Sequence, residues 1–332
     1  MRQREEAAVA AAFLGLAPAT RSFCRDLRWF GTAGSDGGYD VCLDNLHPGN
    51  CVVYSVGTRD NPSFDIAMGR YGCEVHSFDP TLDQQGLSKV VQQLGLAANN
   101  VTFHDVGIGG RDFTAARGTA PWQWPGLGYG RSSNSKVWTL RTLESLMHQL
   151  GHKRIDVFKM DAEGAEWPVL EHLLSGEWAR ERLAAGSIIR QLILEVHLLP
   201  RPDPSRPGGW QKWASPQRAS SPSPAGWLTR LGITGQREPP QATRSDAEAP
   251  YPIPSASDAD AFNWHAADLL RQLVHVGGFA LHSHRVNGGG PYFDVSARRR
   301  GGAGTHERHV EKTLSCCHEL SFVWRGPNVT AR

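Results

Sequence analysis

The chain has 332 residues, 40% of them apolar, which is enough for one large or two ordinary domains with a sizeable core. Its formal net charge is +2 with acids and bases interspersed, so composition gives no reason to expect nucleic acid or an anionic membrane surface as a partner. A membrane-spanning helix needs about 18 apolar residues in a row, and the longest candidate, residues 7–17, falls short, so no transmembrane span is expected in this chain.

That stretch follows Arg2 and Arg4 as a signal-peptide core would, but Glu5, Glu6 and its alanines favour a surface helix. The six cysteines are Cys24, Cys42, Cys51, Cys73, Cys316 and Cys317; they lack metal-ligand spacing, and no metal site is expected. Cys42 and Cys51 bracket a short polar loop, and two readings stay open for them: a disulfide in an oxidising compartment, or two buried thiols.

From residue 51 onward, strand-like runs alternate with helical patterns. Residues 51–57 (CVVYSVG) read as a buried strand ending in Gly57, residues 62–71 as a helix, and residues 74–81 (EVHSFDPT) as a second strand with Asp79 at its tip. Residues 84–96 place Leu87, Val90, Val91 and Leu94 at helical spacing, and residues 101–108 form a third strand. Residues 109–135 are glycine-rich, with Trp122, Trp124 and Tyr129, and read as a lid-like loop. A helix over 140–150, a fourth strand over 155–160, a helix over 166–174 and a fifth strand over 188–198 follow.

This alternation predicts an α/β fold, a mostly parallel sheet with helices on both faces. Residues 200–257 break it with recurring prolines among serines and alanines, a composition that cannot bury enough apolar area to offset its ordering entropy, and a disordered insertion is expected there. A helix over 262–276, a strand over 279–286, a glycine- and arginine-rich break over 288–304 and a strand over 318–324 close the chain. No crossover helix fits between the last two strands, so they are expected to pair antiparallel. The organisation is thus a lead-in (1–39), the first part of the core (40–199), the insertion (200–257) and the end of the core (258–332).

Open α/β sheets do their chemistry beyond the carboxyl ends of the strands, and an acid at the tip of the second strand accepts hydrogen bonds from ribose hydroxyls. Asp79 therefore points to a nucleoside-containing cofactor; its competing role is a helix N-cap. The stretch MDAEGAEW puts Asp161 and Glu163 at the fourth strand-to-helix turn, facing the reaction site or, alternatively, complementing the dipole of the following helix. Glu195 and His197, two apart on one strand, share a side, an arrangement suited to a general base or to simple hydrogen bonding.

Together YSVG, CEVHSFDPT, FHDVGIGG, KMDAEGAEW, LILEVH and CCHELSFVWR resemble the eukaryotic methyltransferase-like domains related to the FkbM family, over about residues 40–198 and 262–325. The resemblance implies a three-layer, Rossmann-like class I methyltransferase fold with an antiparallel last strand and S-adenosyl-L-methionine as cofactor. It implies cofactor contacts at Ser55, Gly57, Asp65, Asp79, Asp105 and Gly107, with Asp60 or Asp65 meeting the methionyl ammonium. It places catalytic groups at Asp161, Glu163 and His197. The acceptor implied is an oxygen or nitrogen atom of a small molecule, glycan or peptide. Relatives with membrane anchors point to the secretory pathway, with the cytoplasm as the other reading. Three competing functions remain: a non-catalytic module on the same fold, a nicotinamide dehydrogenase, which lacks its G-x-G-x-x-G here, and a metal hydrolase using Asp161, Glu163, Glu195 and His197.

Overall fold

A computed structural model of the chain describes residues 16, 23–33, 37–59, 61–82, 84–97, 100–116, 137–162, 164–198, 256–286, 292–296, 311–315 and 317–326. The strands that matter most are β3 (Val52–Val56), β4 (Glu74–Phe78), β5 (Val101–His104), β9 (Ile155–Met160), β10 (Ile189–His197), β11 (Phe279–Val286) and β14 (Cys317–Trp324). They form one seven-stranded sheet in the order β11-β14-β10-β9-β3-β4-β5. Its strands run parallel except β14, which lies antiparallel between β10 and β11. The connections run outward in opposite directions from the β3–β9 pair, so the switch point, where such sheets bind ligands, lies between those two strands.

Helices α1 (Ser63–Tyr71), α2 (Gln84–Ala97), α3 (Leu143–Leu150), α4 (Glu166–Ser175), α5 (Glu177–Ala184) and α6 (Ala256–His275) connect the strands. β9 and β10 are buried along nearly their whole length, as strands covered on both faces must be, and their sequences are accordingly rich in apolar residues, with buried polar side chains among them such as Asp156, Lys159, Gln191 and Glu195. One face of the sheet packs Tyr54, Val56, Phe158 and Leu194 against Trp167 and Leu146. The other packs Val53, Val75, Val157 and Ile193 against Phe64 and Met68 of α1 and Tyr39 and Val41 of a hairpin. That hairpin, β1 (Leu27–Gly31) with β2 (Gly38–Cys42), was not foreseen in the lead-in.

The expected strand over 101–108 is two strands. The chain leaves the main sheet after His104, and β6 (Gly107–Ile108) joins a small sheet with β7 (Phe113–Ala116) and β8 (Val137–Arg141). Gly107 makes the departure possible, because a Cβ there would press on Leu140 and on the ring of Pro80. The expected helix over 140–150 begins only at Leu143, because Thr142 caps it by accepting a hydrogen bond from the Ser145 amide at 3.2 Å, and the β-branched and aromatic residues before it extend as β8. β7 occupies part of the lid-like loop; the rest of that loop, Trp122, Trp124 and Tyr129 included, lies outside the described residues, as does the helix expected over 7–17 apart from the buried Leu16. Nearly all of the expected insertion is likewise outside them, and α6 begins within its last two residues. The break over 288–304 contains β12 (Tyr292–Ser296), which pairs with β13 (Glu311–Ser315).

Neither cysteine pairs as the loop spacing suggested. Cys24 is bonded to Cys42, and Cys51 to Cys73. Cys51 and Cys73 each precede a strand, so their bond ties the amino ends of the adjacent strands β3 and β4, whereas Cys42 ends a hairpin strand whose amide and carbonyl are held by the Gln191 side chain at 2.9 and 2.6 Å. Because Cys51–Cys73 closes a loop with a sequence separation of 22, replacing both by alanine is expected to lower unfolding free energy by about 3 kcal/mol, read as a shift of the denaturant midpoint.

Candidate functional site

The carboxyl ends of β3 and β9 are joined by a buried cation. Lys159 is 3% exposed, between Phe158 and Met160 in a strand whose other charged residue, Asp156, lies at its far end. Its Nζ donates to the carbonyls of Val56 at 3.0 Å and Gly57 at 3.3 Å, lies 3.7 Å from Asp161 Oδ2, and sits 5.0 Å from the centre of the Tyr39 ring. A buried ammonium is tolerable only with such partners. Asp161 Oδ2 also accepts from the Tyr39 hydroxyl at 3.0 Å, so hairpin and sheet meet at this carboxylate. Gly57, at φ 80°, is required for the same junction, since a Cβ there would overlap the Asp161 carbonyl oxygen. Whatever else that freedom serves, it makes room for the contact between the two strand tips.

Asp161 does not face the dipole of the next helix. α4 starts at Glu166, whose own carboxylate closes the turn by accepting from the amides of Ala162 at 2.6 Å and Gly164 at 2.7 Å. Glu166 Oε1 also lies 3.2 Å from His197 Nδ1. One ligand-type atom each of Asp161, Glu166 and His197 fall within 4.8 Å of one another, so two of the expected catalytic residues do converge. His197 is buried, its carbonyl accepts from the Trp167 indole at 3.1 Å, and its Nε2 lies 3.9 Å from Glu195. Glu163 and Asp60 lie outside the described residues.

Asp79, at the tip of β4, is 2% exposed. It caps no helix: Oδ2 accepts from the Arg59 amide at 2.6 Å, and Oδ1 from the Thr81 amide and hydroxyl at 2.7 and 2.5 Å. Arg59 reaches it by adopting φ 48°, a left-handed conformation that a residue with a side chain holds only under constraint. Burial raises the Asp79 pKa, against the pull of these hydrogen bonds. A carboxylate offers about four lone-pair positions and three are engaged, which leaves Oδ2 able to accept one more donor.

Asp65 is deeper still, 1% exposed in the first turn of α1. It faces Thr58, Ser55 and Ser77, and burial raises its pKa while Lys159 opposes the rise. Asp105 is exposed beyond β5, and Gly107 is buried against Pro80, so the structure does not draw these two into the cluster around Asp161. At the opposite edge of the sheet a cleft of about 440 Å³ is lined by Asp44, Asp156, Arg190 and Trp324, where Arg190 lies 3.8 Å from Asp156.

Lys159, Tyr39 and Glu166 were missed in the sequence. The lysine had a signal, a charge inside an apolar strand. Glu166 had a weaker one, its place just after a glycine turn; Tyr39 had none, because its partner is 122 residues away.

Residues 50–213 match the sequence model of the methyltransferase FkbM domain. That stretch, just under half of the chain, is similar to FkbM methyltransferase domains. Over 169 residues the chain is 31% identical to the human probable methyltransferase-like protein 24, and over 167 residues it is 32% identical to the rat protein of the same name. Each match covers 48% of this chain and 38% of the relative. Among solved structures, the FkbM methyltransferase of Methylobacillus flagellatus overlays with a TM-score of 0.30 at 16% identity, covering 46% of this chain and 35% of that one. The Methanobacterium thermoautotrophicum precorrin 8w decarboxylase overlays at 0.32 with 12% identity and 84% coverage of both chains. The FkbM match includes Gly57, Asp79, Lys159, Asp161, Glu166 and His197 but not Tyr39, β11 or β14.

Proposed function

We propose that the protein is an S-adenosylmethionine-dependent methyltransferase whose acceptor is an oxygen or nitrogen atom of a small molecule, glycan or peptide. The observation that carries this reading is the pairing, across the switch point of the sheet, of a buried carboxylate with one unfilled acceptor position at the β4 tip and an acid held by Tyr39 and Lys159 at the β9 tip. The loop after β3 has one glycine in place of the three that a pyrophosphate needs, which favours a cofactor without one.

The residues present fit such a cofactor. Asp79 would take a ribose hydroxyl on Oδ2, and the backbone from Gly57 to Arg59 lies against the same carboxylate. When bound, the cofactor supplies an activated methyl group with its leaving group already in place. The protein then has to align the acceptor, exclude water and receive a proton where the acceptor must lose one. Asp161, its side chain 16% exposed beside the buried Lys159, is the residue we assign to the acceptor side, with Tyr39 and Lys159 fixing its carboxylate. His197, held by Glu166, lies behind it. No helix among the described residues is long and apolar enough to cross a membrane. Two disulfides support an oxidising compartment, the secretory pathway rather than the cytoplasm.

S-adenosylhomocysteine at about a hundredfold over its Kd is expected to stabilise the protein by about 3 kcal/mol, seen as a raised melting temperature, and NAD is expected to leave it unchanged. Asp79→Ala is expected to weaken that binding by about 1.5 to 3 kcal/mol. No shift with S-adenosylhomocysteine would leave the fold as a binding module. For Asp161→Asn, which keeps shape and loses charge, methyl transfer into a fractionated cell extract is expected to fall about a hundredfold, measured at a temperature where the variant is still folded, because the buried Lys159 ammonium loses its carboxylate partner and the melting temperature falls too; a fully active variant would remove Asp161 from the acceptor side.

A further inference from the structure

Away from the strand tips of the candidate site, a second polar cluster sits near the amino-terminal edge of the sheet. Glu74 is the first residue of β4, His76 lies two further along it on the same face, and His152 follows the Gly151 cap of α3 just before β9. Both imidazoles aim Nε2 at one oxygen: Glu74 Oε1 lies 3.0 Å from His76 Nε2 and 3.5 Å from His152 Nε2. One ligand-type atom from each of the three falls within 4.8 Å of the others.

We propose that Glu74, His76 and His152 form a zinc site, tying the start of β4 to the loop between α3 and β9. Zinc takes imidazole nitrogens and carboxylate oxygens at about 2.0 to 2.2 Å in a tetrahedron, whose edges are then about 3.4 Å, close to the two spacings seen here. The far side of each ring is also arranged as a zinc ligand requires. His76 Nδ1 is 2.9 Å from His104 Nε2, and His152 Nδ1 is 2.8 Å from the Tyr54 hydroxyl, so each histidine has an outer partner that fixes its orientation.

Binding needs only a change of tautomer. Without the ion, each Nε2–H donates to Glu74; with it, each Nε2 lone pair goes to zinc and the proton moves to Nδ1, donated to His104 Nε2 or to the Tyr54 oxygen. His104 shifts its own proton to Nδ1, so no proton is lost from the rings. The Glu74 side chain is 57% exposed while those of His76 and His152 are 8% and 14% exposed, so an ion can enter from solvent and keep a water as its fourth ligand. No short sequence spacing announces the set, because its members come from positions 74, 76 and 152.

The test uses the full-length, tag-free protein, stripped with EDTA, dialysed and titrated with zinc against the colorimetric chelator 4-(2-pyridylazo)resorcinol. The expected result is that the chain withholds a single zinc equivalent from the indicator and melts at a higher temperature with zinc than without it. Glu74→Ala and His152→Ala, both near the surface, are expected to lose that equivalent while retaining the wild-type circular dichroism spectrum. Glu74→Gln is the gentler variant that keeps a hydrogen-bond acceptor, and it too should weaken binding. Tyr54→Phe is expected to weaken binding about tenfold or more by removing an outer partner. An indicator that keeps all the zinc would overturn the proposal and leave a hydrogen-bonded histidine cluster, and so would an equivalent retained by both alanine variants, which would place the ion elsewhere.

Discussion

The site depends on one buried ammonium. Lys159 joins the ends of β3 and β9 by donating to the carbonyls of Val56 and Gly57, and it holds Asp161 in place against Tyr39. Without a cation there, the Gly57 carbonyl would lose a donor and the Asp161 carboxylate would keep only the Tyr39 hydroxyl of these two partners in a largely dry junction. With it, the loop from Gly57 to Arg59 is fixed at its root and can deliver the Arg59 amide to Asp79. Asp161 is thus held directly by this side chain, while Asp79 is held by the Arg59 amide from the same loop and by Thr81.

The two ends of the sheet carry different burdens. At the amino ends the constraints are covalent or cluster-like: Cys51–Cys73 ties β3 to β4, Cys24–Cys42 closes onto the hairpin, and Glu74, His76 and His152 meet beside Tyr54. At the carboxyl ends the side chains are held by hydrogen bonds to backbone amides and carbonyls, as at Asp79, Lys159 and Glu166. Such a division leaves covalent ties at one edge and a hydrogen-bonded network at the other, the edge where open α/β sheets bind their ligands.

Most of the main sheet was legible because its strands are short apolar runs bounded by helical periodicity, and the runs over 155–160 and 279–286 coincide with observed strands. What was not legible depended on distant neighbours. The turn of the chain after His104 follows from the fit of Gly107 against Leu140 and Pro80, and the hairpin at residues 27–42 gains its place only by packing on α1 and the sheet. The same holds at the site. Asp79 and Asp161 could be found from their positions after strands, but their partners Arg59, Tyr39 and Lys159 come from three different segments, and the cysteine pairing was set by strand adjacency rather than by loop length.

The central claim, that Lys159 builds the edge at which the proposed cofactor binds, is tested most directly by calorimetric titration of S-adenosylhomocysteine into the wild-type protein and Lys159→Met, a variant of similar length without the charge. The account predicts measurable binding to the wild type and a loss of about tenfold or more in the variant, corresponding to about 1.4 kcal/mol, with the fold retained by circular dichroism. Equal affinity in the two proteins would contradict it.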